Sequence, residues 1–163
     1  MKALSISEFD DYDKAILGAL QEDGRLSMSE LGRRVHLSQP AVAERVRKLE
    51  TFGVITGYRA TVNFAKLGYG IRAIVRASRC EYADMVKLIE KTPEIIKAHS
   101  ITGSDSWALE IVVRDVEHLD AVLWVLKKLT DTATTVVLRT AREHAVVLPP
   151  REVSAVNKRK TGH

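Results

Sequence analysis

Ser27-Met-Ser-Glu-Leu-Gly-Arg-Arg-Val-His-Leu-Ser-Gln-Pro-Ala-Val-Ala-Glu-Arg-Val-Arg-Lys-Leu-Glu-Thr-Phe-Gly53 is the stretch from which the rest of the chain is read. Ser27 with Glu30 three residues on is a capping box, in which hydroxyl and carboxylate satisfy the free amides of a helix start. A short helix is therefore expected from Met28, with Met28, Leu31 and Val35 on one side. His36-Leu37 breaks it. Ser38 then offers a second N-cap, and Pro40 suits a first helical turn. On this second helix Val42, Val46 and Leu49 form the buried stripe, Phe52 extends it, and Gly53 stands where a left-handed helix end belongs.

Turning about 100° per residue along the second helix sets Pro40, Ala41, Glu44, Arg47, Lys48 and Thr51 opposite the stripe, with Gln39 and Arg45 at its margins. This outer face is small and polar at its start and cationic further along. A major groove admits a helix whose first turns reach base edges, while Lys and Arg hold the phosphates that supply most of the affinity. The stretch reads as a helix-turn-helix for double-stranded DNA, with Ser38, Gln39, Pro40, Ala41, Glu44, Arg45, Arg47 and Lys48 as its DNA-binding residues. An ordinary surface hairpin with a solvated charged face is the plainer alternative.

The 163 residues are 45% hydrophobic and 28% charged, with a net charge of +4. The longest apolar run, 121–126, is far too short for a bilayer, so no membrane is expected. The first ten residues lack the apolar core of a secretory signal, and the single Cys80 has no partner for a disulfide. A cytoplasmic protein with Cys80 as a structural thiol is expected. Up to Ala60 nine basic residues face nine acidic ones. The acids crowd the first helix and the bases the helix-turn-helix, which polarises a neutral domain. The five histidines are scattered without metal spacing, and neither a phosphate loop nor a nucleophile turn is present. No catalytic, metal or cofactor site is assigned.

Outward from the central stretch, Asp10 or Asp11 caps a first helix bearing Tyr12, Ile16, Leu17 and Leu20, which Gly24 ends. After Gly53, residues 54–62 are rich in β-branched and aromatic types with Gly57 among them. They read as a two-stranded wing, which would carry Tyr58 or Arg59 to the DNA backbone, or as a strand that only closes the small core. Residues 63–70 are the linker. Beyond it the pattern alternates: strand from Ile71, helix 83–91, strands 94–101 and 107–114, a helix capped by Asp115, and a last strand 134–140. The expected fold is α+β: a winged helix-turn-helix over 1–62, the linker, and a ferredoxin-like β-α-β-β-α-β antiparallel domain over 71–148, with 145–148 as an added edge segment. Residues 149–163 carry Arg151, Lys158, Arg159 and Lys160 against Glu152 and read as a disordered basic tail, either an extra phosphate contact or a solvated end. Two of the strands stay apolar on both faces, so a second sheet is expected to cover the open one, making at least a homodimer.

Asp13-x-x-Ile-Leu, Gly24-Arg-Leu-Ser, Glu30-Leu-Gly, Leu37-Ser, Glu44-Arg-Val-Arg-Lys-Leu-Glu and Phe52-Gly-Val-Ile-x-x-Tyr58, in this domain order, resemble the Lrp/AsnC family of feast/famine transcriptional regulators. The resemblance spans 11–148. It implies a sequence-specific DNA-binding regulator, working as a dimer or as a tetramer, octamer or larger assembly, with an amino acid held between sheet domains as candidate effector. The family loop Thr-Gly-Asp-Tyr-Asp-Tyr-Leu-Leu corresponds here to Thr102-Gly103-Ser104-Asp105-Ser106-Trp107-Ala108-Leu109. Both acids of the family loop fall on serines, and Asp105 is one residue out of register with either. Thr102, Gly103, Ser104, Asp105 and Ser106 are the implied effector-binding residues, with a weak amino-acid response or none expected. A plain tight turn is the alternative. Two other functions stay open on this resemblance: an architectural protein that wraps DNA without effector response, and an enzyme like the sirohaem decarboxylases, which share the architecture.

Overall fold

The computed structural model describes residues 9–78 and 80–150. The chain divides into two compact units: one holds the chain up to Ala60 together with the stretch from Arg142 on, the other is Thr61–Ala141.

The first unit is three helices, α1 (Asp11–Glu22), α2 (Met28–Val35) and α3 (Gln39–Thr51). The expected capping box at Ser27 and Glu30 forms, and of the two candidate caps of α1 it is Asp10 that serves, in a second box: it accepts from the Asp13 amide while Asp13 accepts in return. Ser38 has the extended backbone of an N-cap but its hydroxyl makes no capping bond; Pro40 in the first turn lacks one of the donors a cap would serve. Ile16, Leu17, Leu20, Leu31, Val35, Val42, Val46 and Leu49 interlock as one core.

No wing forms. Residues 54–62 contain no strand, no other described residue of the unit forms one for them to pair with, and their apolar side chains are used otherwise. The Val54 and Ile55 amides both donate to the Leu49 carbonyl at the end of α3 (2.9 and 3.2 Å), and both side chains pack against the helical core. The β-branched composition that reads as strand is here a plug that closes the core.

The second unit runs β1 (Ile71–Ala77), α4 (Tyr82–Glu90), β2 (Ile95–Ser100), β3 (Trp107–Val113), α5 (Val116–Lys127) and β4 (Thr132–Val136). Its antiparallel sheet has the order β2-β3-β1-β4, which is the split β-α-β arrangement expected of a ferredoxin-like domain. Ala73, Val75, Ala77, Trp107, Leu109, Ile111 and Val113 share a face and form one core with Met85 of α4 and Leu119, Val122 and Leu126 of α5. Asp115 caps α5 by accepting from the His118 amide. The half-buried Cys80 packs against this core, and burial pushes its thiol above the usual range, reinforced by Glu81 and Asp84.

The other sheet face is less apolar than the alternation implies. Ile74, about half exposed, lies in register with Glu110, whose carboxylate pairs with Arg72 and, at 3.0 Å, with Lys97. Burial pushes the Glu110 carboxyl up, but the two cations outweigh it and hold the group below its ordinary value.

Residues 145–148 add no edge strand: the chain has left the sheet and joined the helical unit. The register puts Val136 opposite Ala73, and the Val137 amide makes one last bond, to the Arg72 carbonyl. From residue 151 the basic tail lies outside the described residues, as do residues 1–8 of the start.

Candidate nucleic-acid interface and effector loop

Gly32 sets how closely α2 and α3 approach. A Cβ there would stand 2.7 Å from the Leu37 carbonyl oxygen, which lies in the connecting turn, so only glycine fits. The Leu37 amide donates to the Gly32 carbonyl at 2.9 Å, and His36 takes a left-handed conformation (φ 56°) to end α2. Two helices joined by so short a turn form a helix-turn-helix.

Along α3 the face opposite the core is open. Ser38, Gln39, Pro40, Glu44, Arg47 and Lys48 are exposed, and Ala41 is half-buried. Arg47 donates to Glu44 through Nη2 at 2.6 Å and Nε at 3.0 Å. This pairing lowers the Glu44 carboxyl and raises the guanidinium in turn. Two further cations, Arg33 and Arg34, stand exposed in the last turn of α2. The helical wheel does not single them out, because it ranks only positions of α3 and these belong to the helix that crosses it.

Arg45 departs from its expected place. Its guanidinium turns back across the helix pair to α1, with Nη1 2.7 Å from Asp13 Oδ1 and 2.8 Å from Asp10 Oδ2, and it lies over the Tyr12 ring at 5.4 Å. The Asp13 side chain is only 8% exposed, so Arg45 is the counter-charge of a buried carboxylate rather than a free phosphate anchor. Burial pushes the Asp10 carboxyl up, but the Asp13 amide and Arg45 together more than offset it, leaving a lowered value. The clue in the sequence is Asp13 itself, an acid one turn before the apolar Ile16-Leu17 pair. Tyr58, the candidate wing contact, instead donates its hydroxyl to Glu50 at 3.1 Å.

In the second unit the loop from Thr102 to Ser106 joins β2 to β3. Gly103 adopts φ 121°, a conformation side chains disfavour, and so lets the turn close. The Ile101 amide donates to the Ser106 carbonyl and the Ser106 amide to the Ala77 carbonyl, both at 2.9 Å. Thr102, Gly103 and Ser104 are exposed; Asp105 and Ser106 are half-buried. Asp105 Oδ2 faces Arg76 Nη1 of β1 at 3.6 Å. Arg76 is thus a member of this loop cluster that spacing along the chain does not disclose, because only strand pairing brings it there. Among the described residues no group of His, Cys, Asp and Glu is placed to hold a metal ion, and no helix is long and apolar enough to cross a membrane.

Residues 9–50 match the AsnC-type helix-turn-helix domain and residues 73–147 the Lrp/AsnC ligand binding domain. The chain belongs to the Lrp/AsnC family. The HTH-type transcriptional regulator LrpC of Bacillus subtilis is 38% identical over 131 residues, 79% of this chain and 89% of that one. The solved structure of B. subtilis LrpC superposes with a TM-score of 0.80 at 33% identity, over 84% of this chain and 99% of that one. Two other similar structures hold L-methionine. The feast or famine regulatory protein Rv3291c of M. tuberculosis is 30% identical at a TM-score of 0.79, over 86% of this chain and 99% of that one. The transcriptional regulator NMB0573 of Neisseria meningitidis is 25% identical at a TM-score of 0.79, over 85% and 96%. This Lrp/AsnC chain is a helix-turn-helix transcriptional regulator with a ligand-binding domain.

Proposed function

We propose that the chain binds double-stranded DNA as a homodimer or larger self-assembly, with α3 in the major groove. Ser38, Gln39, Pro40, Ala41 and Glu44 meet base edges, and Arg47 and Lys48, joined by Arg33 and Arg34, meet phosphates. The exposed face of α3, polar first and then cationic, carries this reading. In the bound state Arg47 exchanges Glu44 for a phosphate, which costs little because the pair is fully solvated. The role is regulatory and non-enzymatic, in the cytoplasm. Self-association uses the sheet face that bears Ile74.

The test is binding to genomic fragments over a range of salt. Replacing Arg47 and Lys48 together by Ala should reduce the slope of log K against log salt by about two units. An unchanged slope would place the DNA on another surface. Gln39→Ala and Glu44→Ala should change which sequence is preferred while keeping overall affinity; footprints with no altered base preference would remove α3 from the groove. Light scattering of the free protein should give a dimer or more, and a monomer would refute the assembly.

The effector reading is that a free amino acid sits at residues 102–106. The pair Arg76 and Asp105 is complementary to a zwitterion, since the guanidinium takes a carboxylate and the carboxylate an ammonium. Their 3.6 Å separation is longer than a tight ion pair, so exchanging one for two contacts with a ligand is inexpensive. The L-methionine held by two similar proteins makes an apolar amino acid the first ligand to try. With Ser104 and Ser106 in place of the family's acids, one carboxylate alone serves the ammonium, and binding is expected to be weak.

A further inference from the structure

Glu44 is the one acid on the outward face of α3. Turning about 100° per residue sets it nearly opposite the buried Val42, Val46 and Leu49, with Arg47 to one side and Lys48 to the other. The other acid of the helix, Glu50, lies nearer the core side and accepts from the Tyr58 hydroxyl. The Glu44 side chain is 65% exposed, and among the described residues its carboxylate bonds to Arg47 alone: Nη2 meets Oε1 at 2.6 Å and Nε meets Oε2 at 3.0 Å. Both carboxylate oxygens are thus engaged in the free protein. Arg47 also keeps the carboxyl below its ordinary value, so the group is ionised and can only accept hydrogen bonds.

We propose that Glu44 selects a cytosine in each half-site by accepting from its exocyclic amino group. This rests on the placement of α3 in the major groove and adds the base that is read there. A carboxylate at the centre of a DNA-binding face is costly unless a donor meets it, because phosphates offer acceptors alone. In the groove that centre is furthest from both phosphate strands and nearest the base edges. Adenine shows an amino donor beside the N7 acceptor, so one carboxylate oxygen gains a bond while the other faces a lone pair. Guanine shows two acceptors, and thymine an acceptor beside a methyl group, so both leave the charge unpaired. Cytosine alone shows its amino group with no acceptor beside it on the same base. Selection therefore works chiefly by rejecting the other three bases.

Arg47 makes this reading conditional on contact. While it holds both oxygens of Glu44 the carboxylate is masked. When Arg47 moves to a phosphate, both oxygens are released beside the base edges. A duplex without cytosine at that place then meets a bare carboxylate and loses affinity, so the phosphate contact and the base contact are joined through one ion pair.

The experiment is selection of bound sequences from randomised duplexes by the full chain and by its Glu44→Gln and Glu44→Ala variants, with Gln39→Ala as the control on helix placement. Glu44 is exposed and outside the core, so both changes keep the fold. The unmodified protein should show one position per half-site at which cytosine is favoured about tenfold. Glu44→Gln should move that preference to adenine, whose N6 and N7 match an amide, and Glu44→Ala should erase it with other positions unchanged. On the DNA side, a pyrimidinone base lacking the amino group at that position should weaken binding of the unmodified protein about tenfold and that of Glu44→Ala not at all. Cytosine preference that persists in Glu44→Gln, or a site with no cytosine-selective position, would overturn the proposal; if Gln39→Ala then still alters another position, α3 remains in the groove. Unaltered preferences in all three variants would overturn the helix placement as well.

Discussion

Arg45→Ala separates a structural cation from a DNA contact. Removing the guanidinium leaves the Asp13 carboxylate, 8% exposed, with no counter-charge, and frees Asp10 as well. Breaking a fully buried pair costs about 3–5 kcal/mol. Here the Arg45 side chain is 30% exposed and the Asp10 side chain 48%, so water recovers part of that loss and about 2 kcal/mol is the expected destabilisation. Both tryptophans, Trp107 and Trp124, lie in the sheet unit, so their fluorescence follows that unit alone during urea unfolding. The part of the far-ultraviolet circular dichroism transition that tryptophan does not follow belongs to the helical unit. Its midpoint should fall by about 1–2 M urea for a small unit, with the tryptophan transition unmoved. DNA affinity measured well below that midpoint should keep its full salt slope. A stability change under about 0.5 kcal/mol together with one unit lost from the salt slope would show that Arg45 holds a phosphate.

Gly32→Ala should destabilise the helical unit by about 1–3 kcal/mol, because a methyl 2.7 Å from a backbone oxygen forces the turn open; an unchanged unfolding midpoint would refute the close approach. Acid should weaken the sheet unit through Glu110. Its folded pKa is depressed, so its contribution is present above the ordinary value near 4.5 and is lost as pH falls through the lower folded value. Glu110→Gln should therefore flatten the pH dependence of the tryptophan-detected midpoint on the acid side, and an identical profile would deny the carboxylate that role. Asp105→Ala and Arg76→Ala should each abolish calorimetric binding of L-methionine and leave DNA binding intact; tight binding that survives both would move the ligand elsewhere.

Local chemistry carried the parts of the fold that the sequence makes legible. The capping box at Ser27, the candidate caps Asp10 and Asp11, the break at His36-Leu37 and the alternation from Ile71 each act within a few residues, and each marks where an element begins or ends to within one or two positions, whereas the last strand, expected over 134–140, runs Thr132–Val136. What escaped depends on distance along the chain. Val54 and Ile55 have strand composition, and the free Leu49 carbonyl and the helical core, neither of which composition discloses, turn them into a plug under α3. A helical wheel puts Arg45 at a margin, where the wheel alone cannot choose between solvent and an acid 32 residues earlier. Arg76 joins the loop cluster through the pairing of β1 with β3. Periodicity also could not foresee that 145–148 would leave the sheet, because a short apolar run before Pro149-Pro150 suits an edge strand and an extended segment held on the helical unit equally.

The discontinuity of the first unit has a consequence for synthesis on the ribosome. The three helices emerge early, and their core can close without anything downstream. The segment that returns to α1, where the Val147 amide and carbonyl pair with the Gln21 side chain at 2.8 Å, is separated from them by the whole of Thr61–Ala141. At about 5–20 residues per second, translation of that interval takes roughly 4–16 s. Through those seconds Gln21 has no Val147 backbone to grip. The unit made first is thus the one completed last, after the whole sheet unit has been made.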